Sequence, residues 1–256
     1  MSPAPPLTGR VGVVTGASAG IGAATARALA SAGMAVVLGA RRAERLAAVC
    51  AEIEAAGGRA LAMPTDVRDE AQVDALVDAA AARFGRLDAL VNNAAVGVLG
   101  TVAEADTAQW RATLDTNVLG VVFATRAALR HMLPRGAGDV VTMTSASMHG
   151  GWPYLGAYAA SKAAVAALAR SLRAEVAGRG VRVMTIEIHQ VASEFGTNLD
   201  PALLPAALGR WKELALVDPA GAVLAPADVA RAVVFQLSQP DPVSVHDLTI
   251  RPRTTG

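Results

Sequence analysis

Short apolar runs alternate along the chain with longer stretches whose apolar residues fall three and four apart. The runs predict strands at 11–14, 35–38, 60–63, 87–91, 140–143, 181–188 and 245–250. The longer stretches predict helices from a glycine loop to about residue 32, then over 43–56, 70–84 and 110–132. Others are predicted from Tyr158 to about residue 177, over 201–217 and over 227–237. About seven strands spaced by helices, with no long polar linker and no internal repeat, imply an α/β fold. The expected form is a single-domain, doubly wound parallel sheet over residues 1–256 with helices on both faces. Ligands in such sheets bind beyond the carboxyl ends of the strands, so the chemistry is to be read there.

Composition narrows the classes. The chain has 256 residues, 53% hydrophobic and 18% charged, so it can bury a sizeable core and is not a disordered chain. A net charge of +1 with no basic or acidic run gives no expectation of nucleic acid or an anionic membrane as partner. One cysteine, Cys50, excludes an internal disulfide framework and a cysteine-rich zinc site, and no metal is expected. Residues 1–8 are proline-dense and read as a flexible lead-in without the pattern of a secretory signal. No apolar run reaches the ~18 residues of a bilayer span, and a cytoplasmic location is the expectation.

The first strand ends in Thr15-Gly-Ala-Ser-Ala-Gly-Ile-Gly22, a glycine loop opening a helix. Gly16 permits a sharp turn, Gly20 lets backbone approach a pyrophosphate, and Gly22 allows close helix–strand packing. Ser18 and Ile21 lie in the same loop, and the helix N-terminus offers free N–H groups to phosphate. The second strand ends Leu38-Gly-Ala-Arg41-Arg42, with two guanidiniums where an acidic residue would accept a ribose 2′-hydroxyl. That favours a 2′-phosphate and hence NADP(H), although Arg42 also reads as cover for a helix start. Asp66 and Val67 follow the third strand, within reach of an adenine amino group. Asn93, Ala94 and Ala95 follow the fourth and offer a small-residue wall on the ribose side.

The stretch Ser145 to Lys162 carries the candidate chemistry. On a helix, Tyr158 and Lys162 lie one turn apart on one face. Bringing a phenol from its ordinary value near 10 to neutrality needs about 4 kcal/mol of differential stabilisation, which a nearby ammonium in a partly dry cleft supplies. Ser145, at the end of an apolar run, is expected beside that helix with its hydroxyl free for a substrate oxygen.

Together these residues resemble the short-chain dehydrogenase/reductase family, its single-domain, NADP-preferring group, from Thr15 to about Ile250. The resemblance implies a Rossmann-type fold and a catalytic tetrad of Asn117, Ser145, Tyr158 and Lys162. It implies that Tyr158 is the general acid/base, that Lys162 lowers its pKa and holds the nicotinamide ribose, and that Ser145 steadies the substrate oxygen. Asn117 would position a water linking Lys162 to solvent. Asp66 matches the adenine-contacting aspartate and Asn92-Asn93-Ala94 an N-N-A motif, with Ala95 replacing the usual glycine. Where the family has Pro-Gly, a valine and a threonine, this chain has Ile188, His189, Val191 and Ser193, so the nicotinamide loop is reshaped.

His149, Trp152, Tyr154, His189 and Phe195 are further candidates for the substrate side; either histidine could equally be a loop residue. Residues 193–218 read as a substrate-covering segment whose Leu199, Leu203, Leu204, Leu208, Trp211 and Leu214 form an apolar wall. The expectation is an NADP(H)-dependent carbonyl reductase or alcohol dehydrogenase for a medium-sized, fairly apolar small molecule. The alternatives are an imine or enone reductase and a non-catalytic NADP-binding regulator. The family resemblance implies a homotetramer, with a homodimer as the alternative.

Overall fold

The computed structural model describes residues 6–195, 199–217 and 222–253. Seven parallel strands make one sheet in the order β3-β2-β1-β4-β5-β6-β7. They are β1 Val11–Thr15, β2 Ala35–Ala40, β3 Arg59–Pro64, β4 Ala89–Asn92, β5 Gly138–Ser145, β6 Val181–Ile188 and β7 Asp247–Ile250. The helices are α1 Gly20–Ser31, α2 Ala43–Ala55, α3 Glu70–Phe84, α4 Thr107–Leu114, α5 Gly120–Arg135, α6 Gly156–Glu175, α7 Leu204–Glu213 and α8 Pro226–Leu237.

Every residue of β1, β2 and β4 is buried, as a parallel sheet covered on both faces requires. Leu29, Leu46, Ile53 and Val233 of α1, α2 and α8 cover one face. Leu76, Ala124, Met132 and Leu172 of α3, α5 and α6 cover the other. Strand order switches side at β1, which runs on to β2 and β3 one way and to β4 and beyond the other, so a crevice opens at the carboxyl ends of β1 and β4. The amino ends are closed by charge instead. Asp139 is paired with Arg10 and Arg182, and Asp88 with Arg86 and Arg135.

The expected doubly wound sheet is present, with local differences. The helix expected over 110–132 is interrupted by a π-helical turn, Asp115–Leu119, between α4 and α5. Its extra residue re-aims the helix where Asn117 must turn inward, a distortion frequent at functional positions. Of the lead-in expected to be flexible, residues 1–5 lie outside the described residues. Leu7 is fully buried, and its N–H donates to the Ala32 carbonyl at 2.9 Å. The apolar side chain, not the prolines, decides its fate. Cys50 is buried in α2, where burial pushes its thiol up from the ordinary value and Glu54 adds to the rise. No helix among the described residues is long and apolar enough to cross a membrane.

Candidate functional site

The glycine loop runs from the end of β1 into α1. Gly16 takes φ +67°, and a Cβ there would stand 2.8 Å from the Ala94 Cα. A Cβ on Gly22 would stand 2.3 Å from the Gly16 carbonyl oxygen, so any side chain would force loop and helix apart. Ser18 is buried in the loop and Ile21 half-buried behind it. The N-cap of α1 is Ala19, with no side-chain cap and no acid in the first turn. The first N–H groups of α1 therefore have no side-chain cap.

The wall opposite is built by hydrogen bonds from Thr15. Its Oγ1 accepts from the N–H groups of Asn93 and Ala94, at 3.0 and 3.1 Å. The Asn93 amide donates back to the Thr15 and Gly16 carbonyls, at 2.9 and 3.3 Å. Asn93 thus braces the glycine turn as well as lining the groove, and Ala95 sits half-buried beyond it.

At the end of β2 the two arginines part company. Arg41 is exposed, near enough to Asp66 to help hold its carboxyl down. Arg42 donates to Ser18 Oγ at 3.1 Å and to Glu194 at 2.8 Å. It therefore does more than cover a helix start. Asp66, expected to reach adenine, forks with the Arg68 guanidinium at 2.5 Å, and that hydrogen bond is the main cause of its lowered pKa. Val67 is buried against Gly120.

Ser145 ends β5, and its Oγ caps the following 3-10 turn, Ala146–Met148, by accepting from Ser147 N–H at 3.2 Å. Tyr158 stands on the first turns of α6 beside Ser145, whose hydroxyl acts to lower its pKa. Lys162 follows one turn later, 5% exposed, and its Nζ donates to the Met143 carbonyl at 2.8 Å. The ammonium lies 5.6 Å from the centre of the Tyr158 ring.

The electrostatics differ from the sequence expectation. Burial pushes the Tyr158 phenol up to about 12, with the Ser145 hydrogen bond opposing the rise. Burial also lowers the Lys162 ammonium to about 8. Each shift follows from desolvation of the charged form, and one Lys162 N–H is engaged by a backbone carbonyl. The ring keeps some accessible surface, so entering water moderates the tyrosine effect.

Asn117 comes from the π-helical turn and is 1% exposed. Its Oδ1 accepts from Val96 N–H and its Nδ2 donates to the Val96 carbonyl, both at 2.8 Å. Nδ2 also donates to Ser161 Oγ at 3.0 Å, and Ser161 donates to the Tyr158 carbonyl at 2.7 Å. Its side chain is therefore held by protein groups, and it braces the helix turn that presents Tyr158.

The substrate candidates divide. Phe195 lies on Tyr158, ring centres 4.8 Å apart, and on Gly97, whose missing Cβ makes room for the ring. Trp152 stacks edge-on with Trp211 at 5.5 Å, and the Trp211 indole N–H donates to the Pro153 carbonyl. Tyr154 takes φ +68° and faces a neighbouring cleft of about 260 Å³. That cleft is lined by Trp110, Leu203, Glu104, Asp106 and Asp200. His149 and His189 both face Glu187, at 2.7 and 3.4 Å, beside the loop that replaces Pro-Gly. Val191 pairs with Leu224, and Ser193 lies over Gly20. In the covering segment Leu199, Leu203, Leu204 and Trp211 pack inward, while Leu208 and Leu214 are exposed. Residues 196–198 and 218 lie outside the described residues.

Sequence reading missed Arg45, Glu187 and Glu194. Arg45 and Glu194 are 149 residues apart, and no local pattern announces such a pairing. A carboxylate closing the apolar run of β6 was the visible signal for Glu187.

With this geometry in view, the comparisons fit. The short chain dehydrogenase family model matches residues 10–203, and the chain belongs to that family. It is 41% identical over 230 residues to cis-4-hydroxycyclohexanecarboxylate dehydrogenase of Sinomonas cyclohexanicum, covering 90% of this chain and 89% of that protein. It is 38% identical over 257 residues to glycine betaine reductase of Emericella nidulans, covering 99% of this chain. The match takes in only 20% of that much longer protein. Among solved structures, an alcohol dehydrogenase of Thermococcus sibiricus complexed with 5-hydroxy-NADP superposes with a TM-score of 0.81 at 29% identity, covering 96% of this chain and 99% of that one. The chain is thus an oxidoreductase-family protein with an NADP-type-bound structural neighbour.

Proposed function

We propose that the protein is an NADP(H)-dependent oxidoreductase that interconverts a carbonyl and an alcohol on a medium-sized small molecule. The observation that carries this reading is Tyr158 beside Ser145, one helical turn from a buried Lys162 whose ammonium lies 5.6 Å from the Tyr158 ring centre, at the mouth of the glycine crevice. The residues fit a dinucleotide: an uncapped α1 N-terminus for pyrophosphate, the Asn93–Ala95 wall for ribose, and arginines at the end of β2 for a 2′-phosphate. Bound there, the nicotinamide supplies or accepts the hydride.

Tyr158 then delivers its proton to the carbonyl oxygen in reduction, for which a phenol kept neutral by burial is the correct form. In oxidation it takes the alcohol proton, and Lys162 must stabilise the phenolate. Ser145, able both to donate and to accept, orients the substrate oxygen between itself and Tyr158. With a dinucleotide bound, Lys162, whose Nζ here donates to the Met143 carbonyl, would hold the nicotinamide ribose. Asn117 keeps the Tyr158 turn in place through Ser161. Phe195, Trp152, Trp211 and Leu203 exclude water from the reacting atoms. A homotetramer assembled through 105–134 and 157–178 goes with this reading, as in the family; a sedimenting monomer would overturn it.

A second reading, a substrate carrying an ammonium group, is favoured by the cleft beside Tyr154. Glu104, Asp106 and Asp200 give it negative charge, and Trp110 and Tyr154 give it aromatic faces suited to a cation. The similarity to a glycine betaine reductase points the same way.

The test is oxidation of NADPH and NADH against apolar ketones, apolar aldehydes and a trimethylammonium aldehyde, with Tyr158→Phe in parallel. Turnover that prefers NADPH and is lost in the variant supports the proposal. Preference for the cationic aldehyde selects the second reading. Tight NADPH binding with no turnover in either direction would favour a non-catalytic regulator, and a product reduced at an imine or enone would reassign the reaction.

A further inference from the structure

Glu194 lies in the loop after β6, on the far side of the crevice from β2. Its Oε2 accepts from Arg42 Nη1 at 2.8 Å and its Oε1 from Arg45 Nη1 at 2.6 Å. Arg42 also holds Ser18 Oγ of the glycine loop at 3.1 Å. Ser193, one residue earlier, is the nearest group to Gly20, with its Cβ 3.6 Å from where a glycine Cβ would stand. The loop therefore spans the groove and sets a carboxylate between two guanidiniums at the start of α2. Paired arginines beside a hydroxyl at a helix N-terminus make an oxyanion seat, and here an oxyanion of the chain itself occupies it.

We propose that Arg42, Arg45 and Ser18 form the seat for the cofactor 2′-phosphate, and that Glu194 fills it when the dinucleotide is absent. Phosphate and Glu194 then compete for the same donors. The inference rests on the NADP(H) reading above and adds to it Arg45 and a competing group from the chain.

The competition is physically balanced for exchange. The side chains of Arg42, Arg45 and Glu194 are about half exposed, and exposed ion pairs hold weakly. A phosphate brings more charge and three acceptor oxygens, so it displaces a single carboxylate. Displacement has a consequence next door: Phe195 adjoins Glu194 in the chain and covers Tyr158. Releasing Glu194 from the arginines frees the segment that lies over the catalytic phenol. A dinucleotide without a 2′-phosphate has nothing to displace Glu194 with and leaves the cover held.

The experiment measures dissociation constants for NADPH and NADH by isothermal titration, with wild type, Glu194→Gln and Arg45→Ala. Glu194→Gln keeps the shape and removes the charge. It should tighten NADPH about three- to tenfold and leave NADH within about twofold. Arg45→Ala should weaken NADPH and leave NADH unchanged. Tightening of both dinucleotides alike, or no change in NADPH, overturns the competition while the cofactor reading stands. A wild-type protein that binds neither dinucleotide overturns the cofactor reading and this inference with it. A cover that moves would also appear as greater quenching of tryptophan fluorescence on NADPH binding than on NADH binding. Equal quenching at saturation would overturn the coupling to Phe195.

Discussion

The ring of Phe195 lies against that of Tyr158, centres 4.8 Å apart and tilted by 48°. The contact covers part of the phenol, and burial pushes its pKa up to about 12. Removing the cover should therefore change the tyrosine before it changes anything else. In Phe195→Ala, Tyr158 should ionise closer to the ordinary value near 10, because water reaches the phenolate. A rapid pH jump to about 11, with phenolate absorbance read before unfolding, tests this; subtracting Tyr158→Phe isolates the residue from Tyr154. Equal ionised fractions in wild type and variant would mean that Phe195 does not govern the phenol.

Lys162 carries a cost that the rest of the fold supports. Burial lowers its ammonium to about 8, against about 10.4 in an unfolded chain. Between those values the unfolded state binds more protons, so stability rises with pH across that window. At pH 7 the full penalty, on the order of 3 kcal/mol, is present. Lys162→Met should remove it, less about 1–2 kcal/mol for the Met143 carbonyl left without its donor. The variant should thus be more stable than wild type by about 1–2 kcal/mol at pH 7, with the advantage fading between pH 8 and 10. Urea midpoints at intervals of pH measure it. A gap that widens with pH would contradict the burial argument.

The strand–helix alternation was legible because a parallel sheet writes itself as short apolar runs. The placement of Gly16, Ser145, Tyr158 and Lys162 was legible because each sits near a strand end or in the first turns of a helix, fixed by local spacing. Pairings across the crevice were not. Glu194 with Arg42 and Arg45, Glu187 with His149, and Phe195 with Tyr158 join residues dozens to about 150 positions apart, which only the closed sheet brings together. The phenol was misjudged for a related reason. Spacing places Lys162 one turn from Tyr158, but only packing shows that its ammonium donates to the Met143 carbonyl.

Asn117 should matter to stability as much as to turnover. Its amide closes a two-way clamp on the Val96 N–H and carbonyl and supports Ser161 under Tyr158. Asn117→Ala leaves those backbone groups without partners in a buried place, at a cost of about 1–3 kcal/mol. A role limited to holding a water would leave the denaturation midpoint almost unmoved. Chemical denaturation of the variant decides between them, and an unchanged midpoint would reject the clamp as a structural element.

Asp88 sits at the opposite end of the sheet from the crevice and should register only in stability. It accepts from Val11 N–H at 2.9 Å and pairs with Arg86 and Arg135 at 2.6 and 3.0 Å. Burial alone would raise its pKa, but these hydrogen bonds outweigh burial and hold the carboxyl below its ordinary range. A depressed carboxyl stabilises the fold above its unfolded value near 4, and that contribution is lost as pH falls through the folded value. Asp88→Asn should cost about 2–4 kcal/mol at pH 7, the lower part of the range because both arginines reach solvent. Below pH 4 the wild-type and variant stabilities should converge. Stability curves that stay parallel from pH 7 to 3 would show that the carboxylate charge at Asp88 does not hold the amino end of the sheet together.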